Sequence, residues 1–264
     1  SFDMEWAAVK DRADGGDAEA AALIGFQKAI LSIPLATVDP ITATRFLRAR
    51  KANIAKAVEM YTAYAAWREA ESVEEVMDEP TGSAEEALSA AFSPKLLDSR
   101  DNLGRPIWFL RVGDMDVPTL AKRGVTLSML RRRHIRVSEQ MRLAIERADD
   151  PLAGHLLVHD IGTCTVMKFL NSRNFFRLQA KISQDYYPEL LGHMLVLKGP
   201  PAAKWAVETA KKFLDKDTAA KIQLECGSSR GALLEHVCGP VAEELLQLLG
   251  ESPCEPPLLP IVKS

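Results

Sequence analysis

Apolar residues recur along this chain with two different periods, and the change between them falls near residue 80. Before that point the spacing is helical throughout. A segment capped by Asp17 runs to about Ser32, and Asp39 followed by Pro40 is an N-cap with proline at the first helical position, opening a helix to Arg50. Asn53 starts the next one. There Ile54, Ala57, Val58, Tyr61 and Ala65 hold one stripe while Met60, Tyr64 and Trp67 add a second, so this helix is expected to pack on two sides. Ser72 with Glu75 reads as a capping box. The turn-forming run Glu79-Pro80-Thr81-Gly82-Ser83 then separates a helical unit, 1–80, from the main one, 81–250.

Past the boundary short apolar runs alternate with longer amphipathic stretches. Pro106 to Val112, Gly154 to Asp160, Gly192 to Leu197 and Lys221 to Cys226 suit buried strands; Thr126 to Arg147, Ser172 to Asp185 and Ala202 to Leu214 suit helices. The alternation predicts an α/β layered domain. A last helix, Val241 to Leu249, precedes a proline-rich tail, 251–264, that is not expected to fold by itself.

The stretch Gln184 to Ile222 carries the most information. In its helix Ala203, Ala206, Val207, Ala210 and Leu214 form one stripe, opposed by Lys204, Glu208, Lys211, Lys212 and Asp215, and Trp205 and Phe213 widen the apolar arc past half the circumference. Such a helix on the outside of a domain has to face both a core and something else that avoids water.

The order Asp185-Tyr186-Tyr187-Pro188-Glu189, strand, amphipathic helix, then Lys211-Lys212-Phe213-Leu214-Asp215-Lys216-Asp217-Thr218-Ala219-Ala220-Lys221-Ile222 resembles the CRAL-TRIO family of lipid-exchange proteins. Two earlier blocks agree, Thr44-Arg45-Phe46-Leu47-Arg48-Ala49-Arg50-Lys51 with Trp67-Arg68, and Asp101 to Trp108. The resemblance implies a helical N-terminal cap, then a mixed sheet flooring an apolar pocket closed by a gating helix. Gate residues would be Trp205, Val207, Ala210, Phe213 and Leu214. In the phosphatidylinositol-binding branch of that family, the basic end of the first block, the motif's glutamate, and a Thr and Lys after the gate hold the headgroup. Here these are Arg50 with Lys51, Glu189, Thr218 and Lys221. Leu190 stands where the family often has arginine. Read from charge alone, Arg50 and Lys51 are also what a solvated helix C-terminus attracts, whereas Asp217 or Thr218 can cap a turn whose amides favour phosphate. The positions matching the family's choline-lipid site are Leu97, Trp108, Met141, His155 and Leu157, none a hydroxyl. That argues against phosphatidylcholine as the second ligand and for a sterol, an isoprenoid or another hydrophobe.

Charge narrows the partners. Thirty-three Lys plus Arg against 36 Asp plus Glu give a net charge of −3, without the footprint of a nucleic-acid binder. No apolar run nears the roughly 18 residues of a membrane span, and Ser1 to Glu5 lacks signal-peptide character, so a cytosolic protein is expected. Cys164, Cys226, Cys238 and Cys254 are scattered and expected to be reduced.

Three further patterns have competing readings. His155 and His159 are four apart, but on a strand four residues span about 13 Å, too far for one ion, so both imidazoles are expected to line a pocket floor beside Leu157, with His155 a polar handle whose protonation tunes ligand choice. Gly227-Ser228-Ser229-Arg230-Gly231 matches a nucleophile elbow after a strand. An esterase using Ser229 would have only His236 downstream, directly after Glu235, and a glycine-permitted turn accounts for the string equally. Arg131, Arg132, Arg133, Arg136, Arg142 and Arg147 form either a solvated helix face or a patch for acidic membrane lipid.

Together these readings predict lipid binding and transfer between membranes, phosphatidylinositol being exchanged against a second hydrophobic ligand, by a monomer with no catalytic residue, metal or cofactor that meets membranes transiently. A lipid-sensing module that presents its ligand to a partner enzyme is the alternative.

Overall fold

The computed structural model describes residues 5–31, 33, 38–79, 82–200 and 203–251. Expectations placed on Ser1 to Met4, Ser32, Pro80, Thr81, Ala202 and the tail beyond Glu251, Cys254 included, lie outside them. Four helices come first: α1 (Trp6–Asp14), α2 (Ala18–Ile30), α3 (Pro40–Ala49) and α4 (Ile54–Ala70). Their starts follow from side chains that accept otherwise unpaired amides: Asp17 from Ala20, Asp39 from Thr42 and Asn53 from Lys56. Phe26, Phe46 and Tyr61 meet edge-on at the centre of their core. The two apolar stripes of α4 do pack on two sides, with Tyr61 in that core and Trp67 in a second one shared with Ile135, Ile182 and Tyr187.

The rest is α5 (Ser83–Ala91), β1 (Lys95–Arg100), β2 (Pro106–Arg111), α6 (Val117–Lys122), α7 (Leu127–Glu146), β3 (His155–Asp160), α8 (Val166–Tyr186), β4 (Leu191–Leu197), α9 (Ala203–Lys211), α10 (Lys216–Ala220), β5 (Ile222–Leu224), α11 (Ser229–Leu234) and α12 (Gly239–Leu249). The strands form one sheet in the order β1-β2-β3-β4-β5; β1 is antiparallel to β2 and the other pairs are parallel. This is the mixed sheet expected. Parallel neighbours need crossovers, and when strands follow in spatial order, crossovers of one hand place their helices on one face. Those are α7, α8 and α9. The opposite face, with Ile107, Phe109, Leu156, Val158 and Leu195, packs against α11 and α12.

Several local expectations fail for identifiable reasons. Strand β1 went unseen because its residues are mostly exposed and polar, with Leu97 the buried one. Leu97 packs with Ile107 and Leu245 on the α12 side, so it is not a pocket residue: strand alternation turns it away. No capping box forms at Ser72, whose φ of 46° is left-handed and whose side chain caps nothing; its carbonyl accepts from Glu75 instead. Helix α8 begins six residues earlier than Ser172 because Thr165 caps it through the amide of Lys168. The arginines of α7 are neither a free solvated face nor a membrane patch. Arg131 pairs with Glu71, Arg132 with Glu79, and Arg136 donates to the carbonyls of Val76 and Glu79, tying the 71–79 segment down, while Arg147 is exposed.

A deeply buried ionic contact joins the first four helices to the rest. Glu139 of α7 is 3% exposed and accepts from Arg68 of α4 at 2.8 Å, from the Tyr187 hydroxyl at 2.8 Å and from Arg142 at 3.0 Å. Burial alone would raise its pKa; Arg142 and Arg68 more than offset that and hold the carboxyl below its usual range. Removing the anion leaves the buried Arg68 with only the exposed Glu74 as counter-ion, the half-buried Arg142 with only Glu146, and the Tyr187 hydroxyl without its acceptor. Glu139→Ala is therefore expected to cost about 3–5 kcal/mol, read as a lower urea midpoint for unfolding.

Candidate functional site

Helices α7, α8 and α9 stand off the sheet and enclose a cavity of about 860 Å³. Its interior wall is apolar: Leu157 and Met194 from the sheet, Met141 from α7, Phe176 from α8, Val207 and Ala210 from α9. Trp108 lies beneath this wall, packed with Ala144 and Leu157, and does not reach the cavity. His155 and His159 do line it together with Leu157, as strand alternation requires. Among the described residues no group of three or more metal-ligating side chains is assembled.

One end of the cavity is charged, and Arg50, Lys51, Glu189, Thr218 and Lys221 all lie on its wall. Lys221 Nζ sits 3.0 Å from Glu189 Oε2, and Lys51 Nζ sits 3.7 Å from Asp217 Oδ2. Arg50 caps the C-terminal end of α3 and returns a guanidinium hydrogen bond to the Ala49 carbonyl. Glu189 has a φ of 57° and Lys51 one of 51°, left-handed conformations that ordinary side chains adopt rarely and that turns in the surrounding structure must impose. For Glu189 the anchor is visible. The preceding Tyr186 stacks on Trp67 at 4.1 Å between ring centres, and Tyr187 is held by Glu139. The capping residue here is Asp215, not Asp217 or Thr218: its carboxylate accepts from both the amide and the hydroxyl of Thr218. An incoming phosphate therefore meets no free helix N-terminus at α10.

The lid is shorter than expected. α9 ends at Lys211, and residues 212–214 continue as tight turns, each amide bonding to the carbonyl three residues back, with Phe213 and Leu214 on the cavity wall. Gln184 fastens this turn from both sides, donating to the Phe213 carbonyl at 2.9 Å and accepting from the Asp215 amide at 2.6 Å. The Arg177 guanidinium lies 4.5 Å from the centre of the Phe213 ring. Trp205 faces outward, 55% exposed, touching the edge of the Phe169 ring. It is not part of the inner wall.

The α7–α8 wall holds a polar group that the sequence reading missed. His134 meets Ser183 Oγ at 3.2 Å through Nε2 and Gln179 Nε2 at 3.3 Å through Nδ1, and all three line the cavity. The amide nitrogen can only donate, so Nδ1 accepts and Nε2 carries the proton. The spacing Gln179, Ser183 marks one helical face, yet nothing local indicates that a histidine 45 residues earlier meets it.

Ser229 is fully buried and its hydroxyl donates to Glu251 at 2.5 Å, leaving it unsuited to act as a nucleophile. His236 stacks on His193 instead. Cys164, Cys226 and Cys238 are free thiols. None of the described helices is long and apolar enough to cross a membrane.

Residues 94–243 match the family model described as CRAL/TRIO domain. The chain is 30% identical over 207 residues to the Sec14 cytosolic factor of Schizosaccharomyces pombe, covering 76% of this chain and 71% of that one. It is 27% identical over 221 residues to the phosphatidylinositol/phosphatidylcholine transfer protein SFH9 of Arabidopsis thaliana, covering 80% of this chain and 38% of that protein. The crystal structure of Sfh5 superposes with a TM-score of 0.67 over 88% of this chain and 96% of that one; at 17% identity the likeness shows the fold.

The cavity's histidines set a pH response. Burial depresses His134 to about 4, and burial with the nearby Arg105, His159, Arg45 and Lys221 charges depresses His155 to about 3; burial depresses His159 to about 4. The expectation that His155 switches charge in the ordinary range is thereby overturned: it stays neutral. Unfolded imidazoles bind protons near 6.5, so between pH 6.5 and about 4 the unfolded chain holds more protons, and stability, complete above that window, falls as pH drops through it. At pH 5 His134, His155 and His159 are each expected to reduce unfolding free energy by about 2 kcal/mol. Urea titrations at pH 7 and 5 check this, and His159→Phe should flatten the slope.

Proposed function

From the premise that this chain belongs to the CRAL/TRIO domain family, we propose that it binds phosphatidylinositol and moves it between membranes, exchanging it for a second hydrophobic ligand. The observation that carries this reading is one cavity with an apolar interior and a charged, hydroxyl-bearing end. Acyl chains take the interior. Each buried CH₂ is worth about 0.8 kcal/mol, so two chains crossing water unaided would cost on the order of 20 kcal/mol; a pocket that replaces the bilayer nearly balances that cost.

The headgroup occupies the other end. Arg50, Lys51 and Lys221 supply charge-assisted donors to the phosphate, Thr218 a hydroxyl, and Glu189 an acceptor for inositol hydroxyls. Residues 1–80 act as the cap that brings Arg50 and Lys51 to the site, and 81–250 as the lipid-binding unit. Exchange is then limited by opening of α9 and the turn after it, with the exposed Trp205 meeting the membrane surface. Nothing in this scheme asks for bond-breaking chemistry or a cofactor.

Lipids that copurify with the protein, identified by mass spectrometry, test the headgroup assignment. Wild-type protein is expected to carry phosphatidylinositol, and Lys221→Ala to lose it while retaining other hydrophobes; retention by the variant refutes the assignment, and loss of every lipid alike signals misfolding. The gate is tested by vesicle-to-vesicle transfer. Phe213→Asp places a carboxylate beside Arg177, turning a ring contact into an ion pair that locks the turn and charges the cavity wall. Transfer should fall at least tenfold with the fold intact; an unchanged rate rules the gate out.

A further inference from the structure

A second cavity, of about 390 Å³, lies between the start of α5 and the first half of α7 and shares no lining residue with the lipid cavity. Arg132, Arg133 and Arg136 line it opposite two carboxylates, Glu79 and Glu85, so its wall carries one positive charge in surplus, and Ser83 is on the same wall. Arg132 is fully engaged: it pairs with Glu79 and donates to the carbonyls of Glu71 and Ser72. The other two are not. Arg133 donates through Nε to the Phe92 carbonyl, and Arg136, 8% exposed, uses Nε and Nη2 on the carbonyls of Val76 and Glu79. Both Nη atoms of Arg133 and Nη1 of Arg136 make no hydrogen bond to any described residue. Glu85 Oε1 stands 3.7 Å from Arg136 Nη1 and 4.0 Å from Arg133 Nη1, beyond hydrogen-bond reach of either. Burial accordingly pushes the Arg133 guanidinium below its usual pKa; Glu85 offsets this in part and Arg136 adds to it. Enclosed guanidinium donors that no protein oxygen satisfies call for a compact anion with several acceptors.

Ser83 can carry such an anion. It is the first residue of α5, it is exposed, and its hydroxyl bonds to no described residue. Glu85 and Glu86 follow it two and three positions on, which suits a protein kinase whose substrate groove is basic. Ser72, with Glu74 and Glu75 at the same spacing, has the same pattern but is not on this wall, so the geometry and not the string singles out Ser83. α5 is also held lightly. Leu88 is its one fully buried residue, and a helix with so little buried surface opens easily at its first turn.

We propose that Ser83 is a phosphorylation site whose phosphate is clamped by Arg133 and Arg136, fastening α5 onto α7. In the modifying step the terminal phosphoryl group of a nucleoside triphosphate passes to Ser83 Oγ: its bond to the nucleoside diphosphate breaks, an Oγ–P bond forms, and the hydroxyl proton leaves to the kinase's base. The product carries a charge of about −2 and three acceptor oxygens, enough to engage both arginines as Glu85 gives way. The far end of α5 places Ala91 and Phe92 on the wall of the lipid cavity, so the clamp also stiffens that wall. The site does not depend on which ligand that cavity holds.

Phosphoserine installed at position 83 of the full chain during translation tests the clamp. Amide exchange across α5 is expected to slow about tenfold relative to the unmodified chain, and the phosphate's second pKa, read by phosphorus NMR, to fall about half a unit or more below its ordinary value near 6. Arg133→Gln leaves the ties between Arg136 and the 71–79 segment in place and should reverse both effects, whereas Arg133→Lys should keep part of the pKa shift. Unaltered exchange in α5, or a pKa shift that survives Arg133→Gln, overturns the clamp. An acidophilic protein kinase with labelled ATP tests the modification itself: label is expected in the peptide bearing Ser83 of the folded wild-type chain and not in that peptide of Ser83→Ala. A wild-type chain unlabelled there overturns the site. Inorganic phosphate separates a bound anion from a covalent one. If it protects α5 of Ser83→Ala as strongly as phosphoserine protects the modified chain, the cavity serves a free phosphate and the proposal fails.

Discussion

The burial of Glu139 is the constraint on which the placement of the site depends. Its carboxylate gathers a guanidinium from α4, a second from its own helix and the hydroxyl of Tyr187, three donors from three parts of the fold. An ion pair this deep gains little over a well-packed apolar substitute, but it is directional, and each donor has one place to be. Fixing Arg68 orients α4. Fixing Tyr187 sets the exit from α8, and with the Tyr186–Trp67 stack it determines where Glu189 emerges and hence where Lys221 finds its partner. The charged end of the cavity is therefore positioned by contacts made well behind it.

A cavity of 860 Å³ is a cost that close-packed interiors normally avoid. Its walls are held apart by contacts that brace the helices forming them: α7 by the arginine contacts to the 71–79 segment, α8 by Trp67 and by His134 within the wall itself, and the turn after α9 by Gln184. The brace on α9 is the weakest. It rests on one side-chain amide and a cation over a ring, at the part of the fold whose outward face carries exposed Trp205. Low local stability there is what a moving element requires.

Helix starts at Asp17, Asp39 and Asn53 and the four parallel strands β2, β3, β4 and β5 were legible in the sequence because caps and short apolar runs are local signals. The five headgroup candidates were reached only through the order of motifs, since Arg50 and Lys221 lie 171 positions apart and no local pattern joins them. The misses have different causes. The His134 contacts and the partners of the α7 arginines are decided by which distant side chain arrives, and periodicity carries no information about that. The cap at Asp215 is local, three residues from the Thr218 it serves, and was assigned to its neighbours instead. For Leu97 the hydrophobicity was read correctly, but with β1 unrecognised there was no alternation to say which face it takes.

The paired charges at the mouth bear on how exchange proceeds. Lys221 is held by Glu189 and Lys51 by Asp217, so two of the three cations that a phosphate would seek are already partnered. Lys51 and Asp217 are both largely exposed, and such a pair is worth little in water. The Lys221–Glu189 pair is more enclosed and stronger. A phosphate entering the site can take Lys51 with little loss, but it takes Lys221 only if something compensates Glu189. Inositol hydroxyls, which donate to a carboxylate, do that; a choline headgroup carries no hydroxyl. On the proposed reading the Lys221–Glu189 pair thus acts as a filter, admitting a phosphate that arrives with its own donors and resisting one that does not.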